Sequence, residues 1–311
     1  MNDGNENLRR VFESLERGKE NQLNAFIFFD EKNKISLPPE ITVNFIIPQV
    51  DLNGACRTSA LIEFLQTKIV DFCFGRRIIS AAKRKDEQEN STRNTLELYK
   101  KARKLFSDIK TSGEGGEVLL FCLAELLLGF PQLISKFQLK TSGPVHVHGS
   151  DGVFICVSGD TLHTYWGESK LHEKITSSVP SAISSVAKYL TEPLSLDAEK
   201  SEDIMLITSQ EQLDDPNLQN IIRTYFDSNE TNSLNNKNCS ICLCGFDQED
   251  MYVTPMSSEK MKIALSDKKS AWADYVKQKI ADGNIGDREV HFFIMPLRSV
   301  ADFRQQFYGG L

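Results

Sequence analysis

Asp151, then Glu168-Ser169-Lys170 one hairpin further on, with Glu117 upstream at the start of an apolar helix, are residues able to hydrolyse a phosphodiester. That chemistry needs a hard divalent cation held by carboxylate oxygens, a water made nucleophilic beside it, and a positive group to offset charge developing on phosphorus. Two acids and a lysine supply all three. A Glu-x-Lys triplet alone is common, and its bland alternative is a surface ion pair beside a turn aspartate. The elements that must position these side chains therefore decide between the two.

The run His163-Thr164-Tyr165-Trp166-Gly167-Glu168-Ser169-Lys170-Leu171 is rich in aromatic and β-branched residues and reads as a strand, where successive side chains alternate between faces. Glu168 and Lys170 then share a face, and Ser169 points away. Val153-Phe154-Ile155-Cys156-Val157 is a short unbroken apolar run, as in a strand buried on both sides, and Ser158-Gly159-Asp160 marks the turn between the two. An antiparallel hairpin of this length carries Asp151 alongside Glu168, close enough for one metal ion to bridge them. Residues 114–128 form a helix apolar on nearly every side, with Glu114 and Glu117 neighbours in its first turn and Glu125 interrupting the apolar run.

Around this hairpin the pattern predicts a polar helix ending near Gly18, strands at 25–29 and 41–47, and helices at 57–74 and 91–109. It then predicts strand 136–141, helix 172–190, strand 204–208, helix 217–226, a flexible loop at 228–238, strand 239–246, helix 270–281 and strand 290–295. The expected fold class is α/β: a mixed sheet flanked by helices, its middle segment reading αβββαβ. Three regions follow, namely an accessory α+β region at 1–90, a core at 91–227 and an α+β region at 238–311 whose strands close a sheet with the early ones.

With 311 residues, 40% hydrophobic and 25% charged, the chain has an ordinary globular composition. It shows no signal peptide at its N-terminus and no stretch apolar enough to span a bilayer, and its seven cysteines lie mostly in apolar runs. A cytoplasmic protein with reduced thiols is the expectation. A net charge of −7 argues against a general nucleic-acid binder. Locally the balance reverses: between residues 76 and 110 eleven basic residues face five acidic ones, a phosphate-steering field or a solvated helix face. Lys83, Arg84, Lys100, Lys101, Arg103 and Lys104 in that stretch, with Lys136 and Lys140, are candidate contacts to a DNA backbone.

The full constellation resembles the PD-(D/E)xK nuclease superfamily over about residues 113–208. Carried over, Asp151 is the motif's first acid, Glu168 its second, Lys170 its lysine, and Glu117 (or its neighbour Glu114) the additional helix acid. A closer similarity is to the HamA family of Hachiman anti-phage nuclease effectors and the related AbpA. Its marks are Gly113-Glu114-Gly115-Gly116-Glu117 before the helix, His148-Gly149-Ser150-Asp151-Gly152, and Trp166-Gly167-Glu168-Ser169-Lys170 before another helix. The resemblance implies a Mg²⁺- or Mn²⁺-dependent deoxyribonuclease and a partner superfamily 2 helicase, HamB-like, that loads on DNA and controls it. Asp151 and Glu168 then bind the metal, with Glu117 direct or through water and the Ser169 backbone carbonyl as a further ligand. Lys170 orients the attacking water.

The alternative from another class is a catalytically silent nuclease-fold subunit that binds and regulates that helicase. His146 and His148 read as strand or turn residues rather than ligands of a hard ion. Cys239, Cys242 and Cys244 invite a zinc-bound interaction module, but strand alternation sends Cys239 to the opposite face from the other two, so core thiols are favoured.

Overall fold

The expected hairpin forms, and a computed structural model shows what surrounds it; the residues described are 3–17, 22–29, 34–106, 113–134, 137, 149–191, 199–209, 213, 215–253 and 256–311. Helix α1 (Asp3–Leu15) precedes strands β1 (Ile27–Phe29), β2 (Ile35–Leu37) and β3 (Ile41–Pro48). The helix expected at 57–74 is two, α2 (Thr58–Thr67) and α3 (Ile69–Cys73), meeting at Lys68. Helices α4 (Arg76–Glu89) and α5 (Arg93–Leu105) make an antiparallel hairpin, where the sequence had suggested only the second. Asn90, at φ 46°, turns the chain between them, and Asp86 accepts hydrogen bonds from the amides of Asn94 (2.7 Å) and Thr95 (2.9 Å), capping α5.

Then come α6 (Glu114–Leu127), β4 (Gln132–Ile134), β5 (Gly152–Ser158), β6 (Thr161–His172) and α7 (Ile175–Thr191). The strand expected at 136–141 falls largely outside the described residues, and the strand that pairs with β5 is β4. Residues 204–208 are not a strand but part of helix α8 (Glu199–Ser209). A short apolar run is ambiguous between the two periods, and here Asp203 and Ile207, one helical turn apart, face inward while Met205 is exposed. Helix α9 (Pro216–Thr224) follows, and the supposed loop ends in β7 (Asn236–Asp247), beyond the expected core boundary at 227, so the next strand after α7 comes only after two further helices. Helix α10 (Ser258–Asp282), β8 (Val290–Leu297) and α11 (Val300–Gly309) complete the chain.

The eight strands among the described residues join one mixed sheet in the order β1-β3-β8-β7-β6-β5-β4, with β2 also on β3. Strands β3, β8, β7 and β6 run parallel, so strands from the beginning, middle and end of the chain share one layer. One face carries α2, α3, α5, α6 and α11 over a core including Phe72, Phe121, Leu171, Leu243 and Phe307. The other carries α7 and α10 over β3, β7 and β8, and α1 and α9 over β5 and β6. The alternation in β6 is clean: Trp166 packs on the second face, Tyr165 and Leu171 on the first. Glu125, the acid inside the apolar helix, is bound by Arg76 at 3.0 Å and by the Gln132 amide at 2.8 Å, which ties α4 and β4 to α6.

Candidate functional site

Pairing of Gly152 with Gly167 sets Asp151 opposite Glu168, and the Asp151 amide continues the ladder to the Gly167 carbonyl at 2.9 Å. Asp151 Oδ2 accepts the Ser169 amide at 2.7 Å, which fixes the carboxylate against the middle of the Glu-x-Lys triplet. Glu168 and Lys170 share the α7 face as alternation requires, and the Lys170 ammonium donates to Glu168 Oε1. This is no surface ion pair: the Glu168 side chain is 6% exposed and that of Lys170 26%.

Burial, then the charge of Asp151, raises the Glu168 pKa to about 7 against the opposing pull of Lys170 and a hydrogen bond from Ser185 on α7. For Lys170 burial disfavours the ammonium, but Glu168, Asp151 and Glu117 together outweigh it and hold its pKa above the usual lysine value. Two converging carboxylates, one pushed toward neutrality partly by the other, are a donor set whose repulsion a hard divalent cation would turn into coordination. The residues present therefore fit such an ion.

Of the two acids opening α6, Glu114 is buried and receives the Tyr308 hydroxyl of α11 at 3.2 Å, whereas Glu117 is half-buried and its charge reaches Lys170. Helix α6 comes this close because Gly116 lies on β6: a Cβ there would stand 2.5 Å from Ser169 Oγ and 3.1 Å from Leu171. Ser169 Oγ thus points away from Glu168, as expected, and is buried with no hydrogen-bond partner among the described residues.

Supporting residues escaped the sequence reading. Asp203 of α8, fully buried, accepts both the amide (3.2 Å) and the hydroxyl (2.9 Å) of Ser150, next to Asp151. Ser178 of α7 donates to the Lys170 carbonyl at 2.7 Å, and Arg304 of α11 to the Leu171 carbonyl at 2.7 Å. A lone acid in a helix, or a serine in the next one, carries no mark of such a task.

The basic candidates divide. Lys83, Arg84, Lys100, Lys101, Arg103 and Lys104 are all exposed, on α4 and α5. The end of α5 lies beside the start of α6, since Phe106 is 5.7 Å from Phe307, and a Cβ on Gly115 would stand 3.0 Å from that ring. Arg84 lines a cleft of about 430 Å³ with Arg77 and, on α9, Arg223. Lys136, Lys140, His146 and His148 lie outside the described residues. Cys239 sits in the α6-side core and Cys242 and Cys244 in the α7-side core, so the three sulfurs do not form one cluster.

Fold and site together define a mixed α/β protein that gathers an acid-acid-lysine centre at one end of its sheet. The family model described as HamA matches residues 21–311, and the chain belongs to the HamA family, a component of Hachiman defence. No curated protein matches it. Among the described residues no helix is long and apolar enough to cross a membrane.

Proposed function

We propose that this chain is a metal-dependent deoxyribonuclease of the PD-(D/E)xK type, acting as the DNA-cutting effector of a Hachiman-like system under a partner helicase. The observation that carries the reading is the buried face shared by Asp151, Glu168 and Lys170, with Glu117 close enough to act on the lysine. The run α6, β4, β5, β6, α7 supports it as the first five elements of the expected αβββαβ order; two helices, α8 and α9, then precede β7, which pairs with β6.

Asp151 and Glu168 would hold Mg²⁺ or Mn²⁺, with Glu117 the helix acid in preference to Glu114, whose carboxylate is engaged by Tyr308. The Ser169 carbonyl would be the further ligand. Bound there, the ion would supply Lewis acidity and an acidified water. Lys170 would orient the attacking water, favour its hydroxide form and offset charge on the transferring phosphorus. The exposed cations of α4 and α5 steer the DNA backbone. With net charge −7 the chain on its own has little general affinity for DNA, which suits substrate delivered by a helicase.

The test is plasmid and oligonucleotide cleavage with and without Mg²⁺, with and without the cognate helicase, by wild type, Glu168→Ala and Lys170→Ala. Each substitution is expected to lower the metal-dependent rate by about a hundredfold to a thousandfold in a folded protein. Undiminished cleavage by both variants would overturn the assignment.

A further inference from the structure

The opposite end of the same strands carries a second polar cluster that the proposed nuclease chemistry does not use. His163 of β6, Cys239 of β7 and Glu289, the residue before β8, come from three adjacent strands and bring Nδ1, Sγ and a carboxylate oxygen within 4.8 Å of one another. His163 Nδ1 is 3.2 Å from Glu289 Oε2, Cys239 Sγ is 3.5 Å from the same oxygen, and Sγ and Nδ1 are 3.8 Å apart. Ordinary zinc bond lengths in a tetrahedron place N and O about 3.3 Å apart, S and O about 3.5 Å, and S and N about 3.6 Å. The three donors thus already lie near the edges of such a tetrahedron.

We propose that His163, Cys239 and Glu289 form a zinc site that fastens the starts of β6, β7 and β8. A thiolate, an imidazole and a carboxylate are a borderline-soft set that suits zinc, unlike the oxygen donors around Asp151. The surroundings have the form of a supporting shell. Lys237 donates to Glu289 Oε2 at 2.8 Å and the Tyr165 hydroxyl to Oε1, so the carboxylate is oriented from two sides. Lys237 also donates to Glu40 Oε2 at 2.5 Å, so a thiolate and two carboxylates would face one ammonium and one dication, three charges of each sign. Two further donor residues neighbour these three. Cys156 pairs directly with His163 across the β5–β6 hairpin, and His291 Nε2 is 3.8 Å from Glu289 Oε1 with its Nδ1 buried and unpartnered among the described residues. Zinc binding by the Cys239 thiolate would release the thiol proton to solvent.

The full chain, purified and dialysed against a weak chelator, is expected to retain about one zinc per molecule by mass spectrometry of the metal. Cys239→Ala and His163→Ala should each lose it, while Cys242→Ala and Glu168→Ala keep it. Replacement by cobalt should give the wild type a thiolate-to-cobalt charge-transfer band with intense tetrahedral d–d absorption, a readout that holds even where a variant fails to fold. A wild type without tightly held zinc and without that band, or equal loss of zinc in Cys242→Ala, would overturn the proposal.

Discussion

The two ends of strand β6 make opposite kinds of centre from one stretch of backbone. At its C-terminal end Glu168 and Lys170 face α7 beside Asp151; at its N-terminal end His163 and Tyr165 face the α6 side beside Cys239 and Glu289. Five residues, about 17 Å of strand, and an inversion of face separate them. The first end offers hard oxygen donors with the Lys170 ammonium at hand and one carboxyl raised to about 7, which suits an ion that keeps waters and meets substrate. The second offers sulfur, nitrogen and one carboxylate, its two oxygens held by Lys237 and Tyr165, which suits an ion that holds strands together. Donor chemistry, not proximity in the fold, separates a working centre from a fastening one.

The largest expected effects break that comparison by crossing it. Glu168→Ala should cut metal-dependent DNA cleavage by about a hundredfold to a thousandfold and leave the zinc content untouched. Cys239→Ala should do the reverse, losing zinc and melting temperature while the chemistry at Asp151 survives in molecules that remain folded. Rates measured beside metal content on the same preparations decide the matter; parallel loss of both properties in either variant would merge the two ends into one. Next comes Asp203→Ala, which removes the acceptor that orients Ser150 beside Asp151. A supporting group of this kind is typically worth about tenfold to a hundredfold. The loss should appear chiefly as a higher Mg²⁺ concentration for half-maximal cleavage, a shift that a general loss of fold would not give.

The two ends also differ in how plainly the sequence displays them. Asp151, Gly152 and Glu168-x-Lys170 were legible because period-two alternation and one turn set their geometry within a single hairpin. His163, Cys239 and Glu289 meet only through the parallel pairing of β6 with β7 and β7 with β8, and no local pattern states that register. The beginning of β7 was hidden for a related reason. Asn236 and Asn238 look like loop residues, yet their side chains accept the Thr164 hydroxyl at 2.7 Å and the Trp166 indole N–H at 3.1 Å, so neighbours on β6 satisfy polar groups that composition assigns to solvent. Helix α8 was mistaken for a strand because five apolar or β-branched residues fit either period, and only packing of Asp203 and Ile207 on one face separates them.

Gly167 links the two ends and tests them together. A Cβ there would meet the Phe154 ring at 2.8 Å, the Gly152 carbonyl oxygen at 3.1 Å and Leu120 at 3.2 Å, and of these the backbone oxygen has least room to yield. Gly167→Ala should destabilise the fold by about 1–3 kcal/mol, read by denaturant unfolding, and should harm cleavage more than zinc retention because Glu168 is its immediate neighbour.

The smallest effect concerns the α4–α5 hairpin, whose exposed cations the proposed function assigns to steering DNA toward the first of the two ends. Asp86 anchors it: the cost of desolvation is outweighed by hydrogen bonds from Thr95 and Asn94, and the carboxyl pKa falls to about 2. A carboxyl depressed on folding stabilises most at pH values above its unfolded pKa, about 4, and that contribution drains away as pH falls toward 2. Asp86→Ala should therefore lower the melting temperature at pH 7, and the gap from wild type should narrow steadily between about pH 4 and pH 2. Zinc retention should be unchanged at pH 7, since none of its donors touches this hairpin, while DNA affinity should weaken as α5 loses its cap and the Lys100, Lys101, Arg103 and Lys104 side chains lose their common orientation. A melting gap independent of pH would mean that Asp86 acts through packing alone, and the hairpin would then be a rigid platform whose charge is incidental to its attachment.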